Sequence, residues 1–336
     1  MRKIKKKIEK ILVTGGSGYI GSCLAAYLNK KYKVFTLDKK KKNIFLNKKI
    51  IHFKCDLNNE IKLKKIIYKI QPDTIVHLAG QSTIDMVDKK INKYIVNNIH
   101  ATNSLLKIIR SSNVKKFIFS STASVYKNSN LPLSENMLLK SNNSYGRTKI
   151  INEKKIIKSF KKTKTKYCIL RFFNVSGCLR KYKIGEFHSP ETHLIPIIIN
   201  SFLKNNKISI YGNQYKTPDG TCIRDYIHID DVLKGITKSI KYLEKNNSEI
   251  FNLGSNNSFS VLEIINKCSK LLKINPSIKI NKKRKYDTSI LLCKIQKAKN
   301  YLKWYPKSST LEKIINDEFW WFKYLKKKKF RRKFIY

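Results

Sequence analysis

The chain has 336 residues, 41% of them hydrophobic, which is length and apolar content for about two packed domains and excludes wholesale disorder. Lys and Arg number 72 against 22 Asp and Glu, a net charge of +50 that raises nucleic acid or an anionic membrane as partners. The excess is mostly lysine, scattered in short runs at 39–42 and 326–329 beside over-used Ile and Asn, so A- and T-rich codon usage accounts for it and no dedicated nucleic-acid partner is expected. Seven cysteines, at 23, 55, 168, 178, 222, 268 and 293, form no C-x-x-C pair and no zinc-like spacing with His. Reduced thiols in a cytoplasmic protein are therefore expected, with no metal. No signal-peptide core and no membrane span is expected either, since the apolar runs are all short.

An apolar, β-leaning run over 11–14 stops at a glycine cluster. Ile20, Leu24, Ala25 and Leu28 then recur at helical spacing, and a second β run over 34–37 ends at Asp38. Strand, helix and strand in so short a stretch make a βαβ unit. The alternation continues with strands over 50–53, 74–78, 116–121 and 167–173 and helices over 60–70, 94–111 and 144–161. It predicts an α/β, Rossmann-type doubly wound parallel sheet over 1–173. Beyond it the rhythm breaks, with helical patterns only at 231–244, 261–272 and 311–324. A smaller, irregular substrate lobe is expected over 174–336, laid on the carboxyl edge of the sheet and ending in a basic tail.

The glycine cluster has Gly15, Gly18 and Gly21 between a strand and a helix. Gly15 suits a tight turn, Gly18 a close approach of backbone to pyrophosphate, and Gly21 helix packing, while the helix start offers amides to the anion. Asp38 falls at the end of the next strand, where a carboxylate accepts from both ribose hydroxyls and repels a 2′-phosphate; NAD is expected over NADP. Asp56-Leu57 and Leu78-Ala79-Gly80 follow the next two strands, on the edge where adenine and the middle of the cofactor would rest.

Thr122 closes the strand over 116–121 with a hydroxyl, and Tyr145 and Lys149 stand four residues apart on one helix face. A phenol with a pKa of about 10 is a poor base, but a neighbouring ammonium and an oxidised nicotinamide both favour phenolate. Thr122 is placed to hydrogen-bond the same reacting hydroxyl and relay its proton.

Together these residues resemble the extended short-chain dehydrogenase/reductase superfamily. The downstream segments 171–174 (RFFN), 190–196 (PETHLIP), 208–212 (ISIYG) and 219–228 (DGTCIRDYIH) are similar to its UDP-glucose 4-epimerase family. The resemblance implies that NAD is held by Tyr19, Ile20, Ser82, Asn98 and Phe173 besides the residues above. It further implies that Tyr145, with Thr122, takes the proton of the sugar's 4-hydroxyl and that Lys149 holds the nicotinamide ribose. The UDP group would be held by Asn174, His193, Leu194, Arg224, Arg284 and Asp287, with Ser209, Ile210 and Tyr211 lining the uracil site and Leu291 beside the sugar. Three positions depart from the family pattern: Thr122 for its serine, Ser82 for a lysine, and Lys285-Tyr286 inside its R-x-G-D motif. A UDP-sugar substrate and a homodimer are implied. The alternatives are another UDP-sugar 4-epimerase, for UDP-arabinose or UDP-N-acetylglucosamine, or a basic, non-catalytic nucleotide-binding protein. A 4,6-dehydratase would need an acid pair where Ala123-Ser124 stands.

Overall fold

The computed structural model of the protein describes residues 8–82, 91–188, 190–284 and 287–328. Its first elements are β1 (Lys10–Thr14), α1 (Tyr19–Leu28), β2 (Lys33–Asp38), β3 (Ile51–Lys54), α2 (Glu60–Ile70) and β4 (Thr74–His77). A helical segment follows as α3 (Ile91–Tyr94), a π-helical stretch over Ile95–His100, and α4 (Ala101–Arg110). Then come β5 (Lys116–Thr122), α5 (Ser144–Phe160) and β6 (Lys166–Phe172). These six strands pair in parallel in the order β3-β2-β1-β4-β5-β6, which puts the topological switch point between β1 and β4.

Both faces of the sheet are covered, so the strands read as apolar runs. Ile11 and Val13 of β1 face a core shared with Leu24 and Leu28 of α1. Leu12, one residue away and so on the opposite face, joins Leu63 and Ile67 of α2 and Leu105 and Ile109 of α4. Local signals fix the helix ends. At α2 the Asn59 side chain accepts from the Lys62 amide at 3.0 Å, and Glu60 sits in the first turn.

One helix over 94–111 was the expectation; the observed segment passes through a π stretch first. There the Asn98 carbonyl accepts the Asn152 side-chain amide of α5 at 3.1 Å, and the Asn98 side chain is drawn toward the loop after β4. Such π stretches are found frequently at functional sites.

The chain goes on through β7 (Asn174–Ser176), β8 (Cys178–Leu179), β9 (Ile184–Gly185), α6 (Leu194–Lys204), β10 (Ile208–Tyr211) and β11 (Ile223–His228). It continues with α7 (Ile229–Lys245), β12 (Glu249–Leu253), β13 (Ser258–Ser260), α8 (Val261–Leu272), β14 (Ile278–Asn281), β15 (Ile290–Leu291), α9 (Gln296–Leu302) and α10 (Leu311–Lys327).

Here the division at 173/174 needs correction. Strand β12 pairs in parallel with β6, from Cys168↔Glu249 to Phe172↔Leu253, as the seventh strand of the main sheet. Helix α7 buries Ile229, Val232, Leu233 and Ile236 in the same core as α1. The physical reason is the free edge of β6, whose buried backbone groups need a partner strand. What remains is a smaller lobe of short sheets around a core of Ile198, Ile199, Phe202, Ile264, Ile265 and Ile314. Strand β7 starts two residues past the end of β6, so this lobe begins at the carboxyl edge. All seven cysteines are buried and unpaired, and among the described residues no helix is long and apolar enough to cross a membrane.

Candidate active site

The turn after β1 is built around close backbone approach. Gly15 has φ +70°, and a Cβ there would lie 2.7 Å from the Ala79 nitrogen at the end of β4. No side chain fits. Gly18 is the N-cap of α1, with no side-chain cap and no acid in the first turn, so the amides of this end are left to an anion. The Asp38 carboxylate accepts the amides of Ser17 at 3.1 Å and Lys40 at 2.9 Å, bringing the end of β2 to the turn. Ile20 packs against the core, and the Tyr19 hydroxyl donates to the Gly177 carbonyl at 2.5 Å. Both can serve the turn only through backbone. Asp56 is exposed after β3, holding the Asn58 amide at 2.9 Å, while Leu57 beside it is buried. Ser82 is exposed.

Past β4, the Leu78 amide donates to the Thr14 carbonyl at 3.1 Å. Gln81 is fastened by Asn98, whose Oδ1 accepts the Gln81 amide at 2.7 Å. Its Nδ2 reaches the Gln81 carbonyl at 3.2 Å and Thr148 Oγ1 at 3.1 Å. Asn98 is thus a strut between the cofactor edge and α5. Phe173 is buried in the core, its amide on the Leu253 carbonyl at 3.1 Å, a place of support under the edge. A cradle without side chains at Gly15, free helix amides and the Asp38 carboxylate at the neighbouring strand end together fit a dinucleotide.

The residues expected to be catalytic, Thr122, Tyr145 and Lys149, meet at the end of β5. Thr122 Oγ1 accepts the Ser124 amide at 3.2 Å, which leaves its proton to offer toward the neighbouring Tyr145 phenol. Lys149, one turn beyond Tyr145 on α5, donates to the Ser120 carbonyl at 2.7 Å and lies 5.8 Å from the Tyr145 ring centre. Burial pushes the Tyr145 pKa up to about 12, with the Thr122 bond pulling it down and Tyr94 raising it. Burial also pushes Lys149 down to about 8, against the pull of Glu153. In the protein alone, then, desolvation outweighs the phenolate-favouring effect expected of Lys149.

The substrate candidates gather in the smaller lobe. The Arg224 guanidinium pairs with Asp287 at 3.3 Å, and Arg224 stands opposite Leu291 in the β11–β15 pair. The Arg284 guanidinium lies 3.9 Å from the Tyr211 ring centre. On β10 Ser209 and Tyr211 face outward, whereas Ile210 points into the core; a planar base could meet Ile210 only through its backbone. Asn174 Nδ2 donates to the Asp225 carbonyl at 2.9 Å. His193 is the N-cap of α6 and Leu194 its first residue, with His193 Nδ1 against the Glu186 carboxylate. Lys285 and Tyr286 lie outside the described residues.

The sequence profile of the NAD dependent epimerase/dehydratase family matches residues 11–254. The chain belongs to that family. UDP-glucose 4-epimerase of Lactobacillus helveticus is 35% identical over 322 residues, 94% of this chain and 97% of that protein. The crystal structure of UDP-glucose 4-epimerase from Brucella ovis in complex with NAD has a TM-score of 0.86 at 30% identity, covering 92% of this chain and 97% of that one. The enzyme of that name from Bifidobacterium longum, solved with NAD+ and UDP, has a TM-score of 0.87 at 28% identity and covers 94% and 98%.

Several residues of this epimerase-family site escape sequence reasoning. His77 is buried between Thr14 Oγ1 at 2.7 Å and Thr102 Oγ1 at 3.0 Å. Burial, then Lys149, push its pKa down to about 3, so it stays neutral near Lys149. Gly146 is required because any Cβ there would strike Ser141 and the Ser124 carbonyl. Glu153 grips Arg171 behind the site. Only Glu153 had a signal, falling on the same face of α5 as Tyr145 and Lys149.

Proposed function

We propose that the chain is a UDP-glucose 4-epimerase, interconverting UDP-galactose and UDP-glucose with NAD. The observation that carries this is the meeting of Thr122, Tyr145 and Lys149 at the carboxyl end of β5, one strand from the glycine turn, in a chain of this family. When bound, NAD supplies the acceptor and then the donor of the C4 hydrogen, together with a ring charge that favours phenolate. Tyr145 takes the proton of the 4-hydroxyl and later returns it. Thr122 orients that hydroxyl, and Lys149 steadies the phenolate while holding ribose. Arg224 and Arg284 grip the diphosphate and uridine, so that the sugar can turn and present its other face. Mass spectrometry of the denatured protein is expected to find stoichiometric NAD(H), and an assay should convert UDP-galactose to UDP-glucose. Absence of both would sink the reading. A homodimer in the cytoplasm belongs to it; the buried, unpaired cysteines support a reducing compartment.

Asp38→Ala removes the acceptor offered to ribose. A hydrogen bond to a charged group contributes about 1.5–3 kcal/mol, so NAD affinity should fall by about 10- to 100-fold while NADP affinity changes less. Unaltered selectivity in a binding titration would move the ribose elsewhere.

Leu291, in place of a bulkier residue, leaves room at the sugar's C2 substituent, and we propose slower conversion of UDP-N-acetylglucosamine. Leu291→Tyr should reduce kcat/KM for the N-acetyl sugar by about 10-fold or more relative to UDP-glucose, in line with the 1–3 kcal/mol that apolar pockets discriminate. Equal losses on both sugars would show that Leu291 does not face C2.

A further inference from the structure

Between β9 and α6 one short loop carries Glu186, His188, Glu191 and His193. One ligand-capable atom from each of the four lies within 4.8 Å of the others. His188 Nδ1 is 3.2 Å from Glu186 Oε1 and 3.6 Å from Glu191 Oε1. His193 Nδ1 contacts the same Glu186 oxygen, and the two imidazole planes stand at 89°.

Glu186 supplies a second, independent observation. It is fully buried, and its Oε2 has no hydrogen-bond partner. A carboxylate oxygen removed from water and left unpaired is costly unless a cation answers it. Two imidazole nitrogens beside two carboxylates are a donor set for zinc rather than for calcium or magnesium, which take oxygen alone. With metal–ligand bonds of about 2.0–2.2 Å, a tetrahedron has edges of about 3.4 Å, the spacing that His188 keeps to both glutamates, whereas His193 Nδ1 and Glu186 Oε1 are closer than such an edge and must part to admit the ion. Glu191 also fixes the loop, accepting the Thr192 amide at 2.8 Å and the His193 amide at 3.0 Å on Oε1 and the His188 amide at 3.2 Å on Oε2. The Glu191 carboxylate is therefore held in place by the loop's own backbone, as ligand-orienting contacts do in zinc proteins.

We propose that Glu186, His188 and His193, with Glu191 as fourth donor, bind one zinc ion that clasps the loop entering α6. The ion is structural. It pins His193 at the N-cap and Leu194 at the first residue of α6, and any effect on UDP binding rests on the proposed epimerase function, whereas the metal site does not.

The test uses the full-length protein. Elemental analysis after expression in zinc-supplemented medium is expected to find about one zinc per chain. After chelation, titration with Co2+ should give the intense visible bands of tetrahedral cobalt, saturating at one equivalent. His188→Gln, checked for folding by NAD retention, should lose those bands and weaken zinc binding by at least about tenfold. Zinc-free protein that stays colourless with Co2+ overturns the proposal, as do unchanged bands in folded His188→Gln. Should that variant fail to fold, the parent titration decides alone: saturation at one equivalent supports the site and a colourless endpoint removes it. Loss of UDP binding without loss of metal bears on the function, not on the clasp.

Discussion

Tyr145→Phe is expected to lower kcat by about 10²- to 10⁴-fold while NAD and UDP-sugar binding stay within about twofold, because it deletes the proton-moving group and little else. The ring keeps its place against Tyr94, 6.4 Å between centroids, so the pocket should not collapse. Single-turnover assays and ligand titrations separate the two effects. A rate within a few-fold of the parent would hand the base role to another residue. The pH profile sharpens the point. Tyr145 and Lys149 form a pair whose groups lie at about 12 and about 8. Phenolate with ammonium and phenol with free amine carry the same number of protons, so the reactive form is a fixed share of the pair that has lost one proton. Activity should therefore rise with pH toward about 8 and then level, with no fall as Lys149 titrates. Lys149→Met should move the rising limb toward the alkaline value of the phenol itself. A limb in the parent's position in that variant would show that Lys149 does not set the basicity.

Glu153→Ala should destabilise the fold by about 3–5 kcal/mol, read as a lower urea midpoint. Arg171 and Glu153 are each 2% exposed and joined through two parallel contacts, Nε to Oε1 at 3.1 Å and Nη2 to Oε2 at 2.7 Å. The remaining guanidinium nitrogen donates to the Tyr126 hydroxyl at 2.9 Å and the Glu135 carbonyl at 3.0 Å. Tyr126 in turn donates to Asn252 of β12 at 2.6 Å. Removing the carboxylate strands a buried charge in the middle of this chain of bonds, whereas the double change Glu153→Ala with Arg171→Met should recover part of the loss. A single variant costing under about 1 kcal/mol would mean that water reaches the guanidinium.

Much of the first unit was legible because local pattern and final environment agree there. Helix α2 is read to the residue from its periodicity, as is α8, where Ser260 and Glu263 cap each other. Tyr145 and Lys149 were visible as a pair because helical spacing alone puts them together. Strand β12 was not, since Glu249–Leu253 is short and its strand character comes from pairing with β6, about eighty residues earlier in the chain. The direction of the Tyr145 shift was hidden for a similar reason: burial is a tertiary property, and it outweighs the charge that sequence could count. The Glu186–His193 loop has a readable spacing, but only the fold shows that Glu186 is sealed from water.

The place of β12 has a consequence for synthesis. A ribosome delivers the strands in chain order, and β6 is complete at Phe172 while its outer neighbour arrives only with Glu249–Leu253. Throughout that interval the nascent nucleotide-binding half presents an open strand edge with Leu170 and Phe172 along it. Chains truncated near residue 173 should for this reason aggregate, while those extended beyond α7 and β12 should yield soluble product. In the cell, the same interval is when a chaperone would have most to shield.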